Sequence, residues 1–174
     1  MLTFQYTDTE LKKIMSTLTI IIDSREQRNE HILAYFDEKK VAYEVSKLDT
    51  GDYSCKIPKN EAYGITRDLY LSSAVERKNS IDELAQSTKE DRFEAELIRS
   101  QKLTHFALLV EDTYENLVTG NYRSQYDPKA LLGRLKSFES KYGFSTAFIG
   151  KALTGHYILH ELWYRARNEL KKLG

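Results

Sequence analysis

The chain has 174 residues, of which 41% are hydrophobic, so one domain with a sizeable core is expected. No stretch approaches about 18 apolar residues and the N-terminus lacks a signal-peptide pattern, so no membrane partner is expected. The single Cys55 cannot form an internal disulfide, which favours a reducing compartment. The net charge is zero, but residues 1–119 carry 16 basic and 22 acidic side chains, whereas residues 120–174 carry 10 and 4. An acidic region followed by a basic one is expected of a protein with an acidic catalytic site beside a surface that binds a polyanion. The alternative is that these charges simply form ordinary solvated surface.

The first part of the chain predicts two strands and a helix. Residues 1–17 are polar and are expected to form an arm or a short helix. A continuous apolar run at 18–23 predicts a buried strand that ends in Asp23. Residues 26–40 show helical spacing of apolar side chains, and residues 41–48 alternate like a half-buried strand.

The next segment predicts a turn followed by two strands. Thr50-Gly51 turns the chain before a strand at 52–57, and Pro58 and Gly64 mark the loop of a long hairpin. The returning strand is predicted over residues 69–78.

Helices dominate the remainder. Ser80 and Glu83 fit a capping box at the start of one helix, and Thr88 is predicted to cap a second helix over 89–102. The further predicted elements are a strand at 105–111, a short helix at 113–118, a polar loop at 119–126, a helix opened by Asp127-Pro128 and ended by Gly143, an edge strand at 145–149 and a helix at 153–170. This order of strands and helices predicts an α/β fold.

Glu76-Arg77-Lys78 ends the strand at 69–78 and carries the main chemical signal. Because side chains alternate along a strand, Glu76 and Lys78 share one face and Arg77 lies on the other. A carboxylate that holds a divalent cation and an ammonium that steadies water or phosphate suit metal-assisted phosphodiester cleavage. Asp52 on the preceding strand can complete the metal site. The pattern therefore predicts a nuclease.

Four segments carry a resemblance to a known family: IIIDSRE (20–26), TGDYS (50–54), AVERKNSIDEL (74–84) and DRFEAELIR (91–99). They resemble the nuclease domain of the XPF/MUS81 family, known as the ERCC4 domain, whose signature is GD…ERKxxxD. Gly51-Asp52, the tripeptide at 76–78 and Asp82 reproduce that signature. The resemblance extends from about residue 18 to the C-terminus, so residues 18–174 are predicted to form this domain.

The resemblance implies a restriction-endonuclease-like core, with a mixed central sheet flanked by helices on both faces. It also implies Mg²⁺- or Mn²⁺-dependent cutting of branched or partly single-stranded DNA at flaps, forks or junctions in repair or recombination, by a homodimer or with a partner subunit. Carried over by position, the implied metal ligands are Asp23, Asp52 and Glu76. Lys78 orients water or phosphate and Arg77 contacts phosphate. The implied supporting residues are Arg25, Glu26 and Asp82. One-ion and two-ion arrangements both fit these residues.

One departure concerns duplex binding, because the family usually adds tandem helix-hairpin-helix motifs that this sequence does not contain. Their absence puts the preference for branched DNA in doubt. It also favours a compact bacterial, archaeal or viral nuclease in the cytoplasm, or a domain of a longer protein; a eukaryotic protein would be nuclear. The alternatives are a non-catalytic DNA-binding or dimerisation module on the same fold, and a restriction or nicking-type nuclease.

Several residues have competing interpretations. Asp82 can simply favour a helix N-terminus, Asp23 can be a turn residue, and Asp52 can cap the turn at Gly51. Candidate DNA contacts, with loop packing as the alternative, are Arg92, Tyr122, Arg123, Tyr126, Lys129 and Arg134. His156, His160 and Glu161 have helical spacing that can bind zinc, with partial burial as the alternative. An apolar stripe on the last helix predicts either core packing or a dimer interface: Leu159, Leu162, Trp163, Ala166 and Leu170.

Overall fold

The computed structural model describes residues 5–173. Its strands are β1 (Thr19–Asp23), β2 (Ala42–Ser46), β3 (Tyr53–Ile57), β4 (Leu69–Tyr70), β5 (Ser73–Lys78), β6 (His105–Val110) and β7 (Ser145–Phe148). Its α-helices are α1 (Asp8–Met15), α2 (Glu30–Glu38), α3 (Ile81–Ser87), α4 (Asp91–Ser100), α5 (Tyr114–Thr119), α6 (Pro128–Tyr142) and α7 (Thr154–Lys172).

The strands form one mixed sheet in the order β2-β1-β3-β5-β6-β7, with β4 beside β3. β1 runs parallel to β2 and antiparallel to β3; β3 and β5 are antiparallel, and β5, β6 and β7 are parallel. One buried cluster packs the sheet against α1, α2 and α7, and a second packs it against α3, α4, α5 and α6. The predicted mixed sheet with helices on both faces is therefore confirmed.

The alternation of β5 positions the signature tripeptide. Val75 belongs to the cluster on the α1–α2–α7 side, and Ala74 belongs to the opposite cluster. Continuing that alternation places Arg77 on the α2 side and both Glu76 and Lys78 on the α3–α4 side. The strand thus presents the acid and the amine to one cleft.

The N-terminal segment contains a packed helix. Thr7 and Glu10 form a reciprocal capping box, and Leu11, Ile14 and Met15 are buried against the core. The described part of the predicted arm therefore takes the short-helix alternative; residues 1–4, and Gly174 at the other end, lie outside the described residues.

Three local predictions were wrong. The strand over 69–78 is two strands, β4 and β5, which both pair with β3. Thr88 ends α3 rather than capping α4, because its hydroxyl donates to the carbonyl of Ala85 at 2.9 Å. Ser80 caps α3 as predicted, but Glu83 accepts from the backbone nitrogen of Asn79 at 2.6 Å instead of completing the box.

The strand β2 was predicted to be half-buried, but it lies at the edge of the sheet and its Val45 side chain is 63% exposed.

Between residues 5 and 173, no helix has both the length and the apolar character needed to cross a membrane.

Candidate active site

A cleft of about 550 Å³ opens where β3 begins and β5 ends, beside α4. The structure brings eight of the predicted site residues to its walls: Asp23, Arg25, Glu26, Asp52, Glu76, Arg77, Lys78 and Arg92. Asp82 and the predicted DNA contacts at 122–134 are not among the residues that line it.

Backbone contacts on both sides fix Asp52. Its nitrogen donates to the carbonyl of Val75 at 2.9 Å, and its carbonyl accepts from the nitrogen of Asp23 at 2.8 Å. Its carboxylate accepts from the backbone nitrogen of Arg77 at 2.8 Å. The preceding Gly51 has φ +82°, and a Cβ there would lie 2.8 Å from the Cβ of Ala74. Only glycine fits this approach without strain, so the turn aims Asp52 at the end of β5.

Glu76 and Lys78 contact each other inside the cleft. The Lys78 Nζ lies 3.2 Å from Glu76 Oε1, and the two side chains are 10% and 7% exposed. The same ammonium lies 4.8 Å from the centre of the Phe93 ring on α4. The acid and the amine are therefore held together, as the spacing of the tripeptide predicts.

Burial and like charge shift the pKa values of these acids. Burial, followed by the nearby Glu26, raises the pKa of Asp52 to about 7. Burial and the neighbouring Asp52 also raise the pKa of Glu76 well above its usual range. Burial acts to lower the pKa of Lys78, but Glu76 and other acids outweigh it and raise that pKa. Two adjacent acids that resist ionisation together form a site where a cation relieves repulsion.

Glu96 is a residue of this cleft that the sequence analysis did not single out. Its Oε1 accepts from the backbone nitrogen of Gly51 at 2.9 Å, and its carboxyl is one of the nearby acids that raise the pKa of Glu76. In the sequence, Glu96 stands between Phe93 and Leu97 on the inner face of α4. An acid at such an inward position is the signal that could have identified it.

Arg77 is bound within the protein. Its Nε pairs with Glu111, its Nη1 lies 3.2 Å from both Glu26 Oε2 and the carbonyl of Gln27, and its Nη2 donates to the carbonyl of Arg28 at 3.0 Å. The Arg77 side chain is 3% exposed. Its contacts hold the loop after β1 against β5 and β6, and the phosphate contact stays a prediction.

Asp23 is held by the turn that follows β1. Its two oxygens accept from the backbone nitrogens of Leu48, at 2.8 Å, and Arg25, at 3.2 Å, and from the Arg25 guanidinium at 2.9 and 3.2 Å. Burial acts to raise the pKa of Asp23, but these bonds outweigh it and lower the pKa. The contacts are those of a turn residue, and a metal-ligand role for Asp23 stays a prediction.

Asp82 lies outside the cleft at the start of α3. Its Oδ1 accepts from the backbone nitrogen of Ser124 at 2.7 Å. This bond ties the loop before α6 to the helix that follows the signature strand.

The candidate DNA contacts are dispersed. Tyr122 is partly buried and donates to the carbonyl of Tyr126 at 2.6 Å, and the Tyr126 ring lies 5.2 Å from the Lys89 Nζ. Arg123 and Lys129 are exposed. Arg134 packs 4.4 Å from the Phe138 ring, and Arg92 pairs with Glu90 at the cleft rim. Contacts of these six residues with DNA stay predictions.

The histidines of α7 form neither the zinc site that their spacing allows nor the partly buried pair that was the alternative. The rings of His156 and His160 stack with centres 3.9 Å apart and are exposed, whereas Glu161 pairs with His105 at 2.7 Å. Within the part of the chain that the structure describes, no three potential metal-ligating side chains converge closely enough to hold an ion.

The apolar stripe on α7 packs into the core. Leu162, Ala166 and Leu170 are buried, and Leu159 and Trp163 are partly buried against the same cluster. Core packing therefore accounts for the stripe, and a dimer interface stays a prediction.

The donor set of the cleft fits a hard divalent cation. Mg²⁺ is usually bound by one or two carboxylates together with waters and substrate phosphate oxygens, so a preassembled cage of three acids is not required. Asp52 and Glu76 supply two such carboxylates, and oxygen donors beside an amine suit Mg²⁺ or Mn²⁺ better than zinc.

The family model for the ERCC4 domain matches residues 22–160. No curated protein gives a match. The chain is similar to the solved structure of XPF from Aeropyrum pernix, with 21% identity and a TM-score of 0.61 over 89% of this chain. It is also similar to the complex of that XPF with DNA, with 20% identity and a TM-score of 0.62 over 87% of this chain. The chain spans 66% of the length of each of those structures, with which it shares a fold.

Proposed function

Because the chain belongs to the ERCC4 domain family, we propose that it is a metal-dependent endonuclease that hydrolyses phosphodiester bonds of DNA. The observation that carries the proposal is the convergence of Asp52, Glu76 and Lys78 in one cleft, with Lys78 Nζ 3.2 Å from Glu76 Oε1.

In this proposal Asp52 and Glu76 would hold Mg²⁺ or Mn²⁺, whose chemistry there would be to lower the pKa of a bound water and to neutralise phosphate charge. Lys78 extends from the same face and donates to the attacking water or to a phosphate oxygen, which offsets the charge that develops at phosphorus. Arg77 acts from behind the strand by fixing the loop that carries Glu26. That loop and α4 both line the cleft.

Branched or partly single-stranded DNA is the proposed substrate. A related XPF has been solved in complex with DNA. The exposed cations Arg123 and Lys129 lie in the basic part of the chain and extend the proposed DNA surface beyond the cleft.

The test is cleavage of labelled flap, fork, junction and linear duplex DNA by the purified protein with Mg²⁺, Mn²⁺ or a chelator. We expect metal-dependent products on at least one branched substrate, and no products with Glu76→Gln. Glu115→Gln removes an exposed acid from α5 and serves as the matched control. Absence of cleavage on every substrate, with binding independent of metal, would instead support a DNA-binding module. Recurrent cut sequences on long duplex DNA would support a restriction-type enzyme.

A further inference from the structure

Glu96 contacts both halves of the proposed metal site. Its Oε1 accepts from the backbone nitrogen of Gly51, the residue before Asp52, at 2.9 Å. Its carboxyl also lies beside that of Glu76 in the same cleft.

The two contacts join separate elements. Gly51 belongs to the turn that enters β3, Glu76 lies on β5, and Glu96 reaches both from α4. α4 is itself held by Phe93 and Leu97, which are 3% and 0% exposed. A side chain anchored on a packed helix can therefore set where the turn sits relative to the strand.

We infer that Glu96 is a positioning residue: by accepting from the Gly51 amide, it holds the turn that carries Asp52 and so sets the separation of the two proposed metal ligands, Asp52 and Glu76. This inference rests on the proposed function. It assigns Glu96 no direct bond to the metal; Glu96 acts through the turn that carries Asp52.

Positioning and direct ligation require different properties of the side chain. Positioning requires length and an acceptor oxygen, whereas ligation requires a negatively charged oxygen. Glutamine keeps the length and an oxygen that accepts from the Gly51 amide. Aspartate keeps the charge but is one methylene shorter, so it does not reach the Gly51 amide from the same position on α4.

The experiment measures Mn²⁺ affinity, by the electron paramagnetic resonance signal of the free ion, for the wild type, Glu96→Gln and Glu96→Asp. We expect Glu96→Asp to bind Mn²⁺ about 10- to 100-fold more weakly, as is typical when a supporting partner of a metal ligand is lost. Glu96→Gln should stay within about tenfold of the wild type. Glu94→Gln is the control for charge on α4, because Glu94 contacts Tyr142 and Lys141 instead of the cleft.

The reverse order, in which Glu96→Asp binds like the wild type and Glu96→Gln does not, would overturn the inference. Equal affinity of all three proteins would overturn it as well.

A second readout needs no metal. Hydrogen exchange of the Gly51 amide should be slow in the wild type and in Glu96→Gln, and faster in Glu96→Asp. If the wild type neither binds Mn²⁺ nor cleaves DNA, the proposed function fails, yet this exchange pattern still tests the positioning role. Uniform exchange of the Gly51 amide in all three proteins would refute that role.

Discussion

The carboxylate of Asp52 accepts a hydrogen bond from the backbone nitrogen of Arg77 at 2.8 Å. The Gly51-Asp52 pair is therefore bound to the backbone of the Glu76-Arg77-Lys78 tripeptide, and the two parts of the signature form one local structure. This relationship brings Asp52 to Glu76 and leaves the Arg77 side chain on the opposite face of β5.

Asp52→Asn is expected to stabilise the metal-free protein at about pH 8. Burial raises the pKa of Asp52 to about 7, above its ordinary value of 3.8. The protonated carboxyl of Asp52 therefore stabilises the folded state fully below about pH 4. This stabilisation is lost as the pH rises through about 7. The raised pKa of Glu76 acts in the same direction.

Thermal unfolding in a chelator measures this effect. The melting temperature of the wild type should fall between about pH 5 and pH 8, and that of Asp52→Asn should fall less. Asp49→Asn, at an exposed position of the same cleft, is the control. An identical pH dependence of wild type and Asp52→Asn would contradict the assignment.

Arg77→Met is expected to destabilise the fold by about 3–5 kcal/mol, since it removes the guanidinium from the buried Glu111 and leaves that carboxylate only its contact with His31 at 3.0 Å. Arg77→Lys should recover little of this, because an ammonium cannot reproduce the guanidinium contacts with Glu26 and the loop carbonyls. Urea unfolding measures the loss, with exposed Arg67→Met as the control. If Arg77→Met unfolds like the wild type and loses only DNA affinity, the phosphate contact is the better assignment.

Gly51→Ala is expected to cost more stability than Gly64→Ala, although both residues have positive φ. Gly64 has nothing within 4 Å of a built Cβ, so its substitution tests backbone strain alone. A Cβ added at Gly51 would also lie 2.8 Å from the Cβ of Ala74, and relieving that clash must move Asp52. Free energies of unfolding should therefore rank wild type, Gly64→Ala and Gly51→Ala in decreasing order, and Mn²⁺ affinity should fall only in the last. Equal effects of the two substitutions would show that the close approach is harmless.

Lys78→Met is expected to separate metal binding from cleavage. Loss of a charge that offsets the developing negative charge should slow single-turnover cleavage by about 10²–10³-fold. Mn²⁺ affinity should stay equal or increase, because the competing cation 3.2 Å from Glu76 is gone. Lys47→Met, at an exposed position, controls for charge. A parallel loss of Mn²⁺ affinity and cleavage rate would contradict a role for Lys78 in the reaction itself.

The sequence alone predicted correctly those elements for which residue periodicity and side-chain hydrogen-bonding groups indicate the same structure. Strand alternation correctly separated Arg77 from Glu76 and Lys78, and Asp127 caps α6 through the nitrogen of Ala130 as predicted. Thr88 was predicted wrongly because its hydroxyl has two possible local roles: it can cap α4, or it can donate to the carbonyl of Ala85 in α3, as it does. Residue periodicity does not distinguish between these two roles.

Residues whose partners are distant in sequence were the ones that could not be predicted. Glu96 meets Gly51 across 45 positions, and Arg77 meets Glu111 across 34. Such contacts depend on how α4 and β6 pack against the sheet. The roles of Glu96 and Arg77 therefore became visible only in three dimensions.

The central claim, that Asp52 and Glu76 hold the catalytic cation, is tested most directly by the cleavage rate of a flapped DNA as a function of Mn²⁺ concentration. We predict a saturable, chelator-sensitive rate for the wild type and a rate at least about 100-fold lower for Glu76→Gln at every Mn²⁺ concentration. A rate independent of Mn²⁺, or equal rates for the two proteins, would contradict the claim.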